Sequence, residues 1–122
     1  MKPQVGKNHY EFSRYVGFDR WASYHAQLKE TLLLKPESIL EVGPGDGVYR
    51  NYLVSQTGIR YQSLDIDPER KPDIMGSVTA IPLPDNSVDY VMAFEILEHL
   101  PFDQFPLALK EIARVGKKGA IV

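Results

Sequence analysis

The sequence predicts an open, doubly wound α/β fold, in which a mostly parallel sheet has helices on both of its faces. Short apolar segments typical of buried strands, such as Ser38–Val42 and 88–94, alternate with segments of helical periodicity, such as 48–55 and Phe105–Val115. A glycine-rich bend at 43–47 lies directly between the first strand and the helix after it. Because parallel strands must be joined by crossovers, this alternation indicates parallel pairing, with a ligand crevice at the carboxyl ends of the strands.

Length and composition limit the classes of protein that remain. The chain has 122 residues, 43% of them hydrophobic and 25% charged, which fits one globular domain rather than a disordered chain. We divide it into an N-terminal segment with a helix at 1–35 and a core at 36–122. A formal net charge of -2 provides no broad basic face for nucleic acid. The absence of cysteine excludes disulfides, cysteine metal sites and thiol nucleophiles.

The sequence contains no recognisable targeting or membrane signal. Its apolar runs are far shorter than the roughly 18 residues that a membrane span requires, and residues 1–7 lack the apolar stretch of a secretory signal. The expected location is therefore the cytoplasm. The expected ligands are small molecules, with neither nucleic acid nor a membrane as partner.

The first helix is expected to follow Asp19, which can cap it by accepting hydrogen bonds from free backbone amides. Pro36 ends this helix because the residue before a proline avoids the helical region. Spacings of three and four residues predict one apolar face along Trp21, Tyr24, Leu28 and Leu32.

The later elements follow in alternation. The expected strands are 38–42, 61–66, a short one at 73–78, 88–94 and a last one that begins at 120. The expected helices are 48–55 and 105–115, each with apolar residues at helical spacing. A turn-rich connection at 82–87 precedes the fourth strand, and the glycine-rich segment 116–119 ends the last helix.

The strongest local signal is the bend that carries Gly43, Gly45 and Gly47, with Glu41 two residues before it. Glycine allows positive φ and lets a ligand approach the backbone without meeting a Cβ atom. A tight strand-to-helix turn is the alternative, but three glycines at alternate positions favour a ligand loop. A dinucleotide fingerprint needs glycine where Val48 stands, and no Gly-Lys-Ser/Thr follows for a phosphate loop. A pyrophosphate ligand is therefore disfavoured.

The second acidic position is Asp65, which ends the second strand 18 residues after Gly47. An acid at that distance can accept hydrogen bonds from both hydroxyls of a ribose. The alternative is a turn-forming role before Asp67 and Pro68. In combination with the glycine bend, the ribose role is favoured.

These residues resemble the class I S-adenosylmethionine (SAM)-dependent methyltransferases, particularly the group with Leu-Glu-His after the fourth strand. The resemblance covers about 36–122 and rests on five segments in the family's order. They are EVGPGDG at 41–47, SLDIDP at 63–68, GSVTAIPLPDNSVD at 76–89, FEILEHL at 94–100 and EIARV at 111–115. The resemblance implies SAM as cofactor and a Rossmann-like sheet that lacks the last strands of the family's usual seven.

The first two segments imply five cofactor-binding residues. By the resemblance, Gly43 and Gly45 border the methionine portion of SAM, and Glu41 anchors the bend and its polar surroundings. Asp65 would bind the ribose hydroxyls, and Ile66 would pack on one face of the adenine.

The next segments imply four more such residues. Ser77 and Val78 would meet the edge of the adenine, and the backbone near Phe94 and Glu95 would approach the methionine amino group. Position 77 commonly holds an aspartate in the family. Ser77 offers an uncharged hydroxyl instead, which should hold the base less strongly.

The resemblance also implies that further strands usually follow the fifth, whereas this sequence ends as that strand begins. A fifth strand at the edge would expose unpaired backbone groups, which favours pairing with another chain. We therefore expect a homo-oligomer formed through the C-terminal edge. The alternative is a fragment of a longer protein.

No catalytic residue and no metal ligand is predicted. His99 is the histidine nearest the expected crevice, but a capping or packing role is favoured over that of a general base. Glu95 and Glu98 indicate a solvated first helical turn rather than a paired acid site. Related enzymes often carry an N-terminal lid, for which Tyr10 and Tyr15 are candidates.

The expected function is SAM-dependent methyl transfer to an unidentified acceptor, expected to be a small molecule. Three alternatives remain open. They are a non-catalytic SAM- or nucleoside-binding module, a nicotinamide-linked oxidoreductase, which the spacing at Val48 opposes, and a structural subunit that binds neither ligand.

Overall fold

The computed structural model describes residues 17–122, which form a single five-stranded sheet and its helices. The strands are β1 (Ser38–Val42), β2 (Arg60–Asp65), β3 (Ile74–Met75), β4 (Val88–Met92) and β5 (Gly116–Ile121). All four strand pairs are parallel, in the spatial order β3-β2-β1-β4-β5. The predicted doubly wound α/β fold is confirmed. Strand order reverses at β1 and β4, which is where sheets of this kind bind ligands.

Three helices accompany the sheet in this part of the chain: α1 (Phe18–Leu34), α2 (Val48–Gln56) and α3 (Phe105–Val115). Single turns of 3-10 helix lie at Pro68–Arg70, Leu97–His99 and Phe102–Gln104. No helix within residues 17–122 combines the length and the apolar character needed to cross a membrane.

The sheet is covered on both faces because successive strand residues point to opposite sides. On one face, Ile39 and Met92 belong to a core cluster with residues of α2. On the other face, Leu40 and Val91 belong to a larger cluster with residues of α3. Every residue of β1 is buried, as expected for a central parallel strand.

The structure contradicts the prediction for one end of α1 and confirms it for the other. Its N-cap is Gly17 rather than Asp19, so the predicted cap is wrong. Asp19 lies inside the first turn, where a negative charge still favours the helix N-terminus. At the other end the prediction holds: α1 stops at Leu34, Lys35 adopts a left-handed conformation, and Pro36 follows.

The predicted apolar face of α1 is only partly buried. Tyr24 is 6% exposed, but Trp21 is 49% and Leu32 is 41% exposed. The buried residue near the end of the helix is Thr31, whose hydroxyl lies 2.6 Å from the Tyr49 hydroxyl of α2. A polar side chain thus takes the inward position because α2 supplies a hydrogen-bond partner there.

β3 and β5 differ from their predicted bounds. β3 has two residues instead of the predicted 73–78, because the chain turns back after it through a bridge between Ser77 and Ala80. β5 begins at Gly116 rather than at 120, directly after α3 and paired with Val88 of β4. The predicted helix end is confirmed, since α3 stops at Val115 with Gly116 as its C-cap, but the glycine-rich segment continues as strand rather than as a loop. Gly119 has a φ of +144°, and the register between β4 and β5 is irregular before it.

Arg114 of α3 fixes the connection between β3 and β4. Its guanidinium donates to the carbonyl oxygens of Ile81 and Leu83 at 2.9 and 2.8 Å. It also donates to the carboxylates of Glu111 and Asp85, at 2.6 and 2.9 Å. Its hydrogen bonds hold the pKa of the Glu111 carboxyl below its usual value. The loop that carries two of the predicted site residues is thereby held against α3.

Candidate functional site

The glycine bend lies at the carboxyl end of β1 and leads directly into α2. Gly43, Gly45 and Gly47 have φ angles of +71°, +60° and +82°, which residues with a Cβ atom adopt only at an energetic cost. The backbone N–H of Gly43 donates to the carbonyl oxygen of Leu64 at 2.9 Å, so the bend begins by continuing the pairing of β1 with β2. The glycines therefore meet a requirement of the backbone itself.

Asp46, inside the bend, connects the bend to two helices. Its Oδ1 accepts a hydrogen bond from the Val48 N–H at 3.2 Å, at the start of α2. Its Oδ2 accepts from the Tyr24 hydroxyl of α1 at 2.6 Å. Sequence reasoning missed both partners, although an aspartate just before a predicted helix is itself a capping signal.

Glu41 is buried in β1, with 3% of its surface exposed. The Tyr61 hydroxyl donates to Glu41 Oε1 at 2.5 Å. Burial raises the pKa of Glu41 to about 8, although the Tyr61 hydrogen bond and the charge of Arg50 act to lower it. Glu41 is therefore mostly protonated at neutral pH, so that the site avoids an isolated buried charge.

Replacement of Glu41 by glutamine is expected to flatten the pH dependence of stability. The folded-state pKa of about 8 lies above the ordinary 4.5, so between these values the folded protein holds a proton that the unfolded chain has released. By linkage, Glu41 makes the free energy of unfolding fall as the pH rises through this window. Glutamine does not titrate and can still accept the Tyr61 hydrogen bond.

Urea unfolding near pH 5 and near pH 8 measures this effect. We expect the wild-type protein to lose more stability between the two conditions than Glu41→Gln does. Asp65, whose pKa is also raised, contributes equally to both proteins and so cancels in the comparison. An equal loss in both proteins would show that Glu41 is already ionised in the folded state.

Asp65 lies at the carboxyl end of β2, beside the glycine bend, because β1 and β2 pair Val42 with Leu64. Its Oδ1 accepts the Asp67 N–H at 2.9 Å, so the turn role considered from the sequence is present. Partial burial raises the pKa of the Asp65 carboxyl, and the backbone amides of Asp67 and Ile66 oppose this rise. A half-buried carboxylate gains from additional hydrogen-bond donors, such as the hydroxyls of a sugar.

Ser77 and Val78 follow β3, at the same end of the sheet as Asp65, where the strands have their carboxyl ends. The hydroxyls of Ser77 and Thr79 are 2.8 Å apart, and the Thr79 N–H donates to Ser77 Oγ at 3.1 Å. Val78 is 4% exposed and belongs to the core cluster on the α3 side. The side chain of Val78 therefore serves the core, whereas Ser77 is only partly buried.

The segment after β4 forms the opposite side of the crevice. Phe94 packs edge-on against Tyr49 of α2, with ring centroids 5.1 Å apart. Glu95 has a φ of +54°, an uncommon conformation for a residue with a side chain. The Glu95 carboxylate forms an ion pair with Arg20 of α1. Arg20 was not among the predicted site residues.

Ile96 occupies the side of the bend where a side chain at position 43 would stand. A Cβ atom built on Gly43 would overlap Ile96 Cδ1 and lie 2.9 Å from Ile96 Cγ1. The protein thus fills part of the space that glycine leaves there. By contrast, a Cβ atom on Gly47 would meet nothing closer than 3.8 Å. Gly47 is itself buried, whereas Gly45 is partly exposed, so the middle of the bend is the part that a ligand can approach closely.

His99 lies in the 3-10 turn Leu97–His99 rather than at the start of a long helix. Its Nε2 is 3.8 Å from the neighbouring Glu98 carboxylate, and both side chains are at least half exposed. Glu95 and Glu98 therefore do not share a helical first turn, because Glu95 precedes this turn with a positive φ. The proposed lid residues Tyr10 and Tyr15 lie outside the described residues.

The nine residues predicted to bind a cofactor all lie at or just beyond the carboxyl ends of the first four strands. They are Glu41, Gly43, Gly45, Asp65, Ile66, Ser77, Val78, Phe94 and Glu95. This arrangement defines a doubly wound α/β protein with its crevice at the reversal of strand order. Residues 40–122 match the methyltransferase domain family, and the chain belongs to that family. The resemblance read from the sequence is confirmed.

Solved structures of methyltransferases share this fold. A provisionally assigned sarcosine dimethylglycine methyltransferase from Galdieria sulphuraria is 27% identical, with a TM-score of 0.61 over 81% of this chain and 41% of that chain. A SAM-dependent methyltransferase from Thermotoga maritima, named as a possible histamine N-methyltransferase, is 26% identical, with a TM-score of 0.55 over 89% of this chain and 56% of that one.

A third solved structure is CalS10 from Micromonospora echinaspora, an amino pentose methyltransferase with SAM bound. It is 16% identical, with a TM-score of 0.61 over 84% of this chain and 53% of that chain, and this likeness concerns the fold. The chain thus spans about half the length of the solved proteins it resembles. No curated protein matches the sequence.

Proposed function

We propose that the protein takes part in SAM-dependent methyl transfer to a small-molecule acceptor. The observation that carries the proposal is the placement of the glycine bend beside Asp65, at neighbouring strand ends, in a chain of the methyltransferase domain family. SAM bound to CalS10, a protein of the same fold, supports the choice of cofactor.

The residues at the crevice fit the chemistry of SAM. Gly45, in the middle of the bend, has no Cβ atom and is partly exposed, so the backbone there allows close approach of a ligand. Asp65 is a half-buried acceptor, and ribose hydroxyls are donors that would offset its loss of solvation. The bend offers no lysine of a phosphate loop and no third glycine at position 48, so a pyrophosphate fits less well.

Two parts of the chain would hold the cofactor. Asp65 would accept from the ribose hydroxyls, with Ile66 and the region of Ser77 beside the adenine. The bend and the backbone at Phe94 and Glu95 would hold the methionine portion. When bound, SAM supplies a methyl group on a positively charged sulfur that is already a good leaving group.

The protein's own residues would have to orient the cofactor and the acceptor and to exclude water. Phe94 and Ile96 bring partly buried apolar side chains to the crevice. Holding reactants in line can lower a barrier by about 7–11 kcal/mol. We assign no acid or base, since the acceptor's chemistry decides whether one is needed.

Calorimetry with SAM, its demethylated product and NAD, titrated in parallel into the same preparation, tests the proposal. We expect saturable binding of SAM and of its product, and none of NAD. Binding of NAD alone would favour the oxidoreductase alternative instead. Transfer of a labelled methyl group from SAM to a panel of small acceptors would separate an enzyme from a non-catalytic binding module.

We also propose that the protein self-associates through β5. Among the strands formed by residues 17–122, β5 is at the outside of the sheet and pairs with β4. An outer strand offers unpaired backbone groups to a second copy. Sedimentation at micromolar concentration should detect a dimer, and a single monomeric species throughout would contradict the proposal.

A further inference from the structure

Within residues 17–122, helix α1 is joined to the rest of the structure by few buried groups. Of its 17 residues only Tyr24 and Thr31 are buried, and Leu28 packs partly buried against the α2 side of the core. Phe18 at its start is 88% exposed, and Leu33 near its end is 66% exposed. A helix with so little buried surface depends strongly on its individual polar contacts.

The first such contact reaches the glycine bend. The Tyr24 hydroxyl donates to Asp46 Oδ2 at 2.6 Å, while Asp46 Oδ1 accepts from the Val48 N–H. Both carboxylate oxygens are therefore engaged, and the orientation of Asp46 between Gly45 and Gly47 is fixed by α1 on one side and α2 on the other. Because glycine neighbours leave the backbone free to rearrange, this side chain restricts the bend.

The second contact reaches the opposite side of the crevice. Arg20 lies one turn before Tyr24, on the same face of α1, and forms an ion pair with Glu95. Glu95 holds a positive φ that an isolated residue of this kind would rarely adopt. The next residue, Ile96, packs on Gly43. One helical turn of α1 thus contacts both segments that form the crevice between β1 and β4.

We propose that α1 is a clamp, and that Tyr24 and Arg20 are positioning residues that hold the bend and the segment after β4 in the arrangement that binds the cofactor. The part of this proposal that concerns the affinity for SAM rests on the proposed function. Residues 18–34 lie outside the segment that matches the family, which begins at residue 40. Because coupling between binding and clamping is reciprocal, cofactor binding should in turn stabilise the docking of α1.

Tyr24→Phe and its matched control Tyr49→Phe test the first contact. The Tyr49 hydroxyl also joins α1 to α2: the Thr31 hydroxyl donates to the Gln27 carbonyl oxygen, so Tyr49 is left to donate to Thr31. Tyr24 and Tyr49 are 6% and 2% exposed. Both variants remove one buried hydroxyl between the helices, but only Tyr24→Phe removes a contact with the bend.

We expect Tyr24→Phe to weaken SAM binding about fivefold or more by calorimetry, as a typical coupling does. Tyr49→Phe should lower the thermal midpoint without a matching loss of affinity. Amide hydrogen exchange in the protein without cofactor provides a second readout. Exchange at Asp46, Gly47 and Val48 should be faster in Tyr24→Phe than in Tyr49→Phe.

Charge reversal tests the second contact. Arg20→Glu and Glu95→Arg should each weaken SAM binding, and the double variant should recover most of the lost affinity, because it restores an ion pair of opposite orientation. A double variant no better than the two single ones would show that Arg20 and Glu95 do not act as a pair.

The outcomes separate the clamp from the proposed function. If the wild-type protein fails to bind SAM, the proposed function is wrong, and the exchange rates alone decide whether α1 restricts the bend. If the wild-type protein binds SAM but Tyr24→Phe and Tyr49→Phe lose affinity only in proportion to their stability, the clamp is wrong. Equal exchange in the two variants would also overturn it.

Discussion

Replacement of Asp65 by alanine is expected to weaken SAM binding on the order of 100-fold. The carboxylate sits next to the glycine bend at the end of β2, half-buried, with one oxygen on the Asp67 amide. Two ribose hydroxyls donating to it would form charge-assisted hydrogen bonds, each stronger than a neutral one. Removing the acceptor would leave both hydroxyls unpaired in a partly desolvated site. Calorimetry on the wild-type protein and the variant measures the change.

Because Asp65 also stabilises a turn, a control is needed that separates the loss of the turn from the loss of ligand contacts. Asp65→Asn keeps an oxygen for the Asp67 amide and suits the same turn, but it loses the charge and one acceptor. We expect no loss of stability and about tenfold weaker binding. Asp67→Ala removes a nearby carboxylate that accepts from Glu69 in the next turn, and should leave the affinity within about twofold. If Asp65→Ala binds SAM as tightly as the wild-type protein does, the ribose assignment is wrong.

Replacement of Gly43 by alanine is expected to lower the free energy of unfolding by about 2–4 kcal/mol. A residue with a Cβ atom at a φ of +71° is strained, which accounts for about 1–2 kcal/mol. The new methyl group would also overlap Ile96 Cδ1 and force this side chain away from the bend. Urea unfolding monitored by circular dichroism measures the loss.

Two further variants separate the backbone strain at Gly43 from the overlap with Ile96. Gly58→Ala is the matched control, because a Cβ atom there meets nothing within 4 Å; it should change stability little. In the Gly43→Ala background, Ile96→Ala removes the overlapping side chain. The double variant should be less destabilised than the sum of the two single variants, since the overlap is lost and the strain at φ remains. A Gly43→Ala protein as stable as Gly58→Ala would contradict the observed contact.

Much of the fold was predictable because its signals are local. β1, α2 and α3 have nearly their predicted bounds, since apolar periodicity and glycine or proline boundaries act over a few residues. The errors occur where the local signal was ambiguous. The glycines at 116 and 119 correctly predict the end of α3, but they carry no local signal for a strand, and only pairing with β4 places them in β5. Likewise, Trp21 fits the apolar face of α1 but lies at its margin once the helix is docked.

The sequence by itself determined the alternation of strands and helices along the chain and the parallel pairing that it implies. It also determined the Cβ-free bend after β1 and the acidic residue at the end of β2. These depend on backbone preferences and on spacing along the chain, which need no knowledge of the rest of the molecule. The tertiary structure alone decided how the crevice is held. Tyr24 meets Asp46 across 22 residues, and Arg20 meets Glu95 across 75. Such contacts depend on where α1 packs. The polar residues of a helix do not indicate from the sequence which distant residues they will contact.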